Sequence, residues 1–170
     1  HRPVVNSGWY EDFQKVFYKE KNYIYGSKTN GYSIEKLIES GNNFVYFASI
    51  QDLRGSIYVG GKFDKNEVIF DTLWDCVIVD EAHEGTTTAL GDDTVKAVVK
   101  EGKGTKFLAL SGTPFNILTD FNEDSIYTWD YIMEQESKNE WDKLHFGDSN
   151  PYDELPELKI YTYSLENIIA

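Results

Sequence analysis

The stretch Asp75-Cys-Val-Ile-Val-Asp-Glu-Ala-His-Glu-Gly85 decides how the chain is read. Cys76 to Val79 carry no charge and are mostly β-branched, the composition of a strand covered on both faces, as in a parallel sheet flanked by helices. The apolar run stops at two adjacent carboxylates, Asp80 and Glu81, so a loop is expected to begin there. Open α/β sheets take their ligands in the crevice beyond the carboxyl ends of the strands. A strand that ends in two acids therefore puts negative charge where a metal-bound phosphate would sit.

A second junction of the same kind comes about thirty residues on, where Thr105-Lys-Phe-Leu-Ala-Leu110 reads as a strand that runs straight into Ser111-Gly-Thr-Pro114. Gly112 lets the turn tighten and Pro114 ends the strand. The hydroxyls of Ser111 and Thr113 are expected to bond across the crevice to the Asp80–His83 loop. His83 has no second His, and no Cys at ligand spacing, so it reads as a hydrogen-bonding relay to that turn and not as a metal ligand.

Asp80-Glu-Ala-His83 resembles the DEAH form of the Walker B motif in superfamily-two helicases and translocases, and Ser111-Gly-Thr-Pro114 resembles motif III of the same family in type, order and spacing. The resemblance implies a three-layer α/β, RecA-like nucleotidase domain with a mostly parallel sheet. It implies ATP and Mg²⁺ as cofactors, with Asp80 holding the metal and Glu81 orienting and deprotonating the attacking water. Ser111, Gly112 and Thr113 would then couple nucleotide state to the grip on DNA. Arg2-Pro3 resembles the segment that touches one nucleic-acid strand in these motors, although a surface arginine beside a helix start is the plainer reading of Arg2. Phe47-Ala-Ser-Ile-Gln-Asp-Leu53 resembles the corresponding segment of restriction-enzyme motor subunits. There Ser49 and Gln51 would offer hydrogen bonds to phosphates, against the alternative of a polar strand end facing solvent. Phe115, Ile126–Tyr131 and Asn150–Pro156 resemble the region after motif III in the type III and type I restriction subunits. That narrows the expectation to an ATP-dependent DNA translocase whose partners are DNA, a second motor domain and the restriction and modification subunits.

The chain has no Gly-x-x-x-x-Gly-Lys-Ser/Thr to cradle phosphates: Gly26-Ser-Lys-Thr29, Gly60-Gly-Lys62 and Gly102-Lys-Gly104 each lack a required position. The expectation is a partial first motor domain over residues 1–170, an excerpt whose phosphate-loop strand lies elsewhere. Two readings compete with the motor. One is a catalytically silent interaction module that keeps the fold without turnover. The other is a metal-dependent nuclease built on Glu157, Lys159 and Asp153, which faintly echo a carboxylate-and-lysine set.

Length and charge bound these readings. A chain of 170 residues is ordinarily one domain. Its net charge of −13 opposes autonomous binding to a nucleic-acid backbone. The charge is uneven: residues 121–170 hold twelve acids and three bases, whereas residues 1–40 hold five acids and six bases. Any region that meets phosphate is expected to be the first. The single cysteine, Cys76, falls in the expected buried strand, which excludes an internal disulfide and suits a reducing, cytoplasmic setting. No apolar stretch approaches the roughly 18 residues of a membrane span, and no export signal opens the chain.

The remaining pattern supplies elements around the two junctions. Val4-Val5 reads as a strand end, with Asn6 or Ser7 capping a helix that carries Trp9, Phe13, Val16 and Phe17. Tyr23–Tyr25 and Phe44–Ala48 read as strands, and between them Ser33 caps a helix with Ile34, Leu37 and Ile38 as its stripe. Gly55–Gly61 is a loop or edge strand, and Asn66–Trp74 an amphipathic helix. Asp92 or Asp93 is expected to cap a helix that buries Val95, Val98 and Val99. Trp129–Leu144 includes an acidic helix, and Leu158–Tyr163 a final strand.

Overall fold

The computed structural model describes residues 3–20, 22–85, 89–100, 102–156, 158, 159 and 161. They form two compact units, His1–Asp120 and Phe121–Ala170. The first is α/β with two pairs of parallel strands, and it carries both junctions.

Helix α1 spans Pro3–Phe17. The expected strand end at Val4-Val5 is instead helical, and Asn6 and Ser7 lie inside the helix and do not cap it. Pro3 stands at the first helical position, where its fixed φ is already helical and its missing N–H costs nothing. Phe13 and Tyr10 meet the ring of Tyr25 at 5.4 and 5.2 Å, and Phe17 stacks on Tyr23 at 4.5 Å, so α1 packs on β1 (Tyr23–Ser27) through aromatic faces. Burial of Tyr25 pushes its hydroxyl up to about 12. Gly26 is required by close approach: a Cβ there would strike the Tyr32 carbonyl and the side chain of Leu37.

Helix α2 (Ile34–Ser40) starts where Ser33 Oγ accepts the Lys36 N–H at 3.5 Å. It stops at Gly41, whose φ of 67° fits the left-handed cap. It leads into β2 (Asn43–Phe47), which pairs with β1 in parallel, Tyr23 beside Asn43 through Ser27 beside Phe47. Helix α3 (Ile50–Arg54) comes at once. Gly55–Gly61 is neither open loop nor strand but is built around a 3₁₀ turn at Ile57–Val59, with Ser56 bridged to Phe63.

The expected long helix before the Asp75 strand shrinks to α4, Glu67–Asp71. Thr72 Oγ1 donates to the Val68 carbonyl at 2.6 Å and Trp74 Nε1 to that of Ile69 at 2.9 Å. Thr72 closes the helix with its own N–H on the Val68 carbonyl and turns to extended backbone, and the Trp74 indole takes the Ile69 carbonyl that a further turn would use. Strand β3 (Cys76–Val79) then pairs in parallel with β4 (Lys106–Ala109), Cys76 beside Lys106 and Val79 beside Ala109. Between them lie α5 (Ala82–Gly85) and α6 (Ala89–Val99). Asp92 and Asp93 are inside α6, not at its cap; Asp92 pairs with Lys96 one turn on at 2.6 Å, a spacing that favours the helix interior.

One core cluster, Ile34, Leu53, Ile69, Phe70 and Val98, draws Phe44 and Tyr46 from β2 and Val77 from β3 against the same helices. A second cluster, Val79, Ala82 and Ile117, lies directly under the Asp80 turn. Strand β3 is therefore covered on one face. Val79 and Val77 point inward, while Cys76 is exposed and Ile78 is 48 % exposed, which corrects the expectation of a strand buried on both sides. On β4, Leu108 shares the outer face with Ile78 and is 46 % exposed.

In the second unit, α7 spans Tyr131–Leu144 and starts where Asp130 accepts the Met133 N–H at 2.9 Å. Trp141 stacks on His145 at 4.0 Å and meets Tyr152 edge-on. Leu158, Lys159 and Tyr161 are in no strand; the Leu158 N–H donates to the Tyr131 hydroxyl at 2.9 Å and not to a neighbouring strand. Residues 160, 162 and 163 of that expected strand lie outside the described residues.

Candidate functional site

The two junctions converge. Because β3 and β4 are parallel neighbours in register, their carboxyl ends open on the same side. The ladder runs past the strands: the Leu110 N–H donates to the Val79 carbonyl and the Ala82 N–H to the Leu110 carbonyl, both at 2.9 Å. The acidic turn is thus stitched to the start of the Ser111 turn by backbone alone.

Asp80 is exposed, and its Oδ1 accepts the Glu81 N–H at 3.0 Å. That bond tightens the turn and engages one of the two carboxylate oxygens. Glu81 has φ of 50°, left-handed territory that an L-residue enters at a cost of order 1 kcal/mol or more. The next residue over-determines that conformation, since Ala82 is buried at 1 % exposure against Val79 and Ile117. The Glu81 side chain is 61 % exposed, and one of its oxygens lies 3.4 Å from His83 Nδ1.

His83 Nδ1 also lies 2.7 Å from Ser111 Oγ, a bond that joins residues 28 apart in sequence. One ring nitrogen thus faces both the Glu81 carboxylate and the Ser111 hydroxyl. Ser111 Oγ accepts the Thr113 N–H at 3.1 Å, so Thr113 enters through its backbone, and Gly112 lies exposed in the bend between them. Pro114 opens a 3₁₀ turn, Pro114–Asn116, and Asn116 Nδ2 donates to the His83 carbonyl at 3.3 Å. Sequence reasoning singled out Ser111, Gly112 and Thr113 and passed over Asn116. Its bond reaches a backbone carbonyl 33 residues away, and no periodicity or spacing rule encodes such a contact.

The nucleic-acid candidates are placed less directly. Arg2 lies outside the described residues. Ser49 is the N-cap of α3, its Oγ accepting the Asp52 N–H at 3.2 Å, and Gln51 is exposed in the first turn of that helix. Asp52 ties three segments together: Lys28 at 2.5 Å, Lys65 at 2.7 Å and Asn66 Nδ2 at 3.1 Å all reach its carboxylate. Partial burial pushes this carboxyl up, but the hydrogen bonds and charge of Lys28 and Lys65, with Asn66, outweigh that and hold it below the usual carboxylate range.

Of the carboxylate-and-lysine set, Asp153 and Lys159 are exposed and Glu157 lies outside the described residues. Among the described residues, no group of three or more His, Cys, Asp or Glu could hold a metal ion, and no helix is long and apolar enough to cross a membrane.

Comparison with protein families matches residues 1–116 to the family described as type III restriction enzyme, res subunit. No curated protein and no solved structure matches. The matched span contains both junctions and both strand pairs, and it ends at Asn116, whose amide reaches back to the acidic turn. With more than two thirds of its length in that match, the chain belongs to the type III restriction enzyme res-subunit family.

Proposed function

We propose that this chain carries the hydrolytic and coupling elements of an ATP-driven DNA translocase, the motor of a restriction enzyme, within a three-layer RecA-like domain. The observation that supports this best is the 2.7 Å contact between His83 Nδ1 and Ser111 Oγ. It joins a turn suited to phosphate chemistry to a second turn on the neighbouring strand, so a change at one is felt at the other.

The donor set fits Mg²⁺. That ion needs only one or two carboxylates when water and substrate phosphates supply the other ligands, so a protein cage is not required. Asp80 would hold it, through the oxygen not engaged by the Glu81 N–H. When bound, the ion neutralises phosphate charge. Glu81 is the base: its exposed carboxylate can accept a proton from water at the mouth of the crevice. His83 stands beside that carboxylate, 3.4 Å from one of its oxygens, and its Nδ1 meets the Ser111 hydroxyl, so the imidazole lies between the base and the coupling turn. Ser111, Gly112 and Thr113 form the coupling turn. Ser49, Gln51 and Arg2 are the proposed contacts to the DNA backbone, with the second motor domain and the modification subunit as partners.

The test is DNA-stimulated ATP hydrolysis by the full-length protein that carries this chain. Glu81→Gln is expected to retain nucleotide binding and to lose hydrolysis by roughly 10²- to 10⁴-fold, the range for a positioned base. Asp80→Asn is expected to raise the Mg²⁺ concentration needed for half-maximal turnover. Near-normal turnover in Glu81→Gln would assign the water to another group and remove the proposal.

A further inference from the structure

We propose that Asn116 is a positioning residue of this motor, the second tether by which the β4 turn holds His83. The inference rests on the translocase reading above. Ser111 grips the imidazole of His83 at Nδ1, and Asn116 grips its main-chain carbonyl from the other end of the same turn. With the backbone bond from Ala82 to Leu110, the acidic turn is held at three points by the segment Leu110–Asn116. A ring fixed at one atom can swing about that atom. A residue fixed at both ring and carbonyl cannot, and only then does a displacement of the β4 turn carry the His83 backbone, two residues from Glu81, by a defined amount.

Asn116 is itself well supported. Its neighbour Ile117 is 8 % exposed and packs on Val79 and Ala82, the residues on either side of the Asp80-Glu81 pair. The Ile117 N–H closes the 3₁₀ turn on the Pro114 carbonyl at 2.9 Å. The segment is therefore pinned beneath the turn by an apolar anchor, while the Asn116 side chain, exposed on the surface, is free to make one directional bond upward. The bond needs a donor. A carbonyl accepts only, so an amide serves there and a carboxylate of the same shape does not.

This difference supplies the test. In the full-length protein, ATP consumed per base pair travelled on linear DNA is measured for wild type, Asn116→Ala, Asn116→Asp and Ser111→Ala. Both Asn116 variants are expected to raise that ratio by about two- to tenfold, the span of one hydrogen bond to a neutral acceptor. Combining Asn116→Ala with Ser111→Ala is expected to give less than the product of the two effects, because both act on one residue. A role in shape alone leaves Asn116→Asp close to wild type, and that result overturns the inference while the motor reading stands. A wild-type protein with no DNA-dependent hydrolysis overturns both.

Discussion

Asp52 shows what a single carboxylate does in the first unit. It holds the loop after β1 through Lys28, the loop before α4 through Lys65 and Asn66, and sits in α3 itself. Its folded-state carboxyl titrates below the ordinary value, so the stability it contributes is fully present above about pH 4, where the unfolded chain is ionised as well. That contribution is lost as pH falls through the lowered folded value. The wild-type protein is thus expected to lose melting temperature on acidification below pH 4, and Asp52→Asn to flatten that limb while costing about 1–3 kcal/mol at neutral pH, measured by denaturant titration at several pH values. A steep acid limb that survives in Asp52→Asn assigns it to other carboxylates. Residues of this kind were legible only in part. Asp80, Glu81, His83 and Ser111 stand in contiguous words at strand ends, and their pattern is visible without coordinates. Asp52 and Asn116 act on partners 13 to 33 residues distant, and nothing in their local neighbourhood marks them.

The elements divide along a similar line. The two strand-to-turn junctions could be read because an apolar β-branched run that breaks into polar residues is a local signal. Which face of β3 is covered was not local: Cys76 and Ile78 have the composition of buried positions, yet the helices that pack on β3 meet only its Val77–Val79 side. Helix ends failed for another reason, since Thr72 turns to extended backbone and the Trp74 indole takes the Ile69 carbonyl that would have prolonged α4. At Ser49 the element and the proposed function make separable claims. Its hydroxyl caps a five-residue helix, and Ser49→Ala is expected to cost about 0.5–2 kcal/mol of stability through loss of the cap. A filter-binding assay on the same variant reads the DNA contact. Unchanged stability would show that α3 does not depend on its cap, whatever the outcome for DNA.

For the molecule as a whole, charge and the missing phosphate cradle point the same way. The net charge of −13 repels both nucleotide and DNA, and no Gly-x-x-x-x-Gly-Lys-Ser/Thr is present to offset it with backbone N–H groups and a lysine. The 170-residue chain by itself is expected to show no measurable ATP hydrolysis with Mg²⁺ and DNA. Robust turnover abolished by Glu81→Gln would contradict this. The single cysteine makes such measurements easier to design. Cys76 is exposed at the start of β3, and four steps along extended chain, about 13 Å, lead from it to Asp80. A maleimide fluorophore coupled there needs no engineered thiol and leaves the acidic turn unobstructed. It makes the strand that delivers the two acids its own optical reporter of what arrives at its far end.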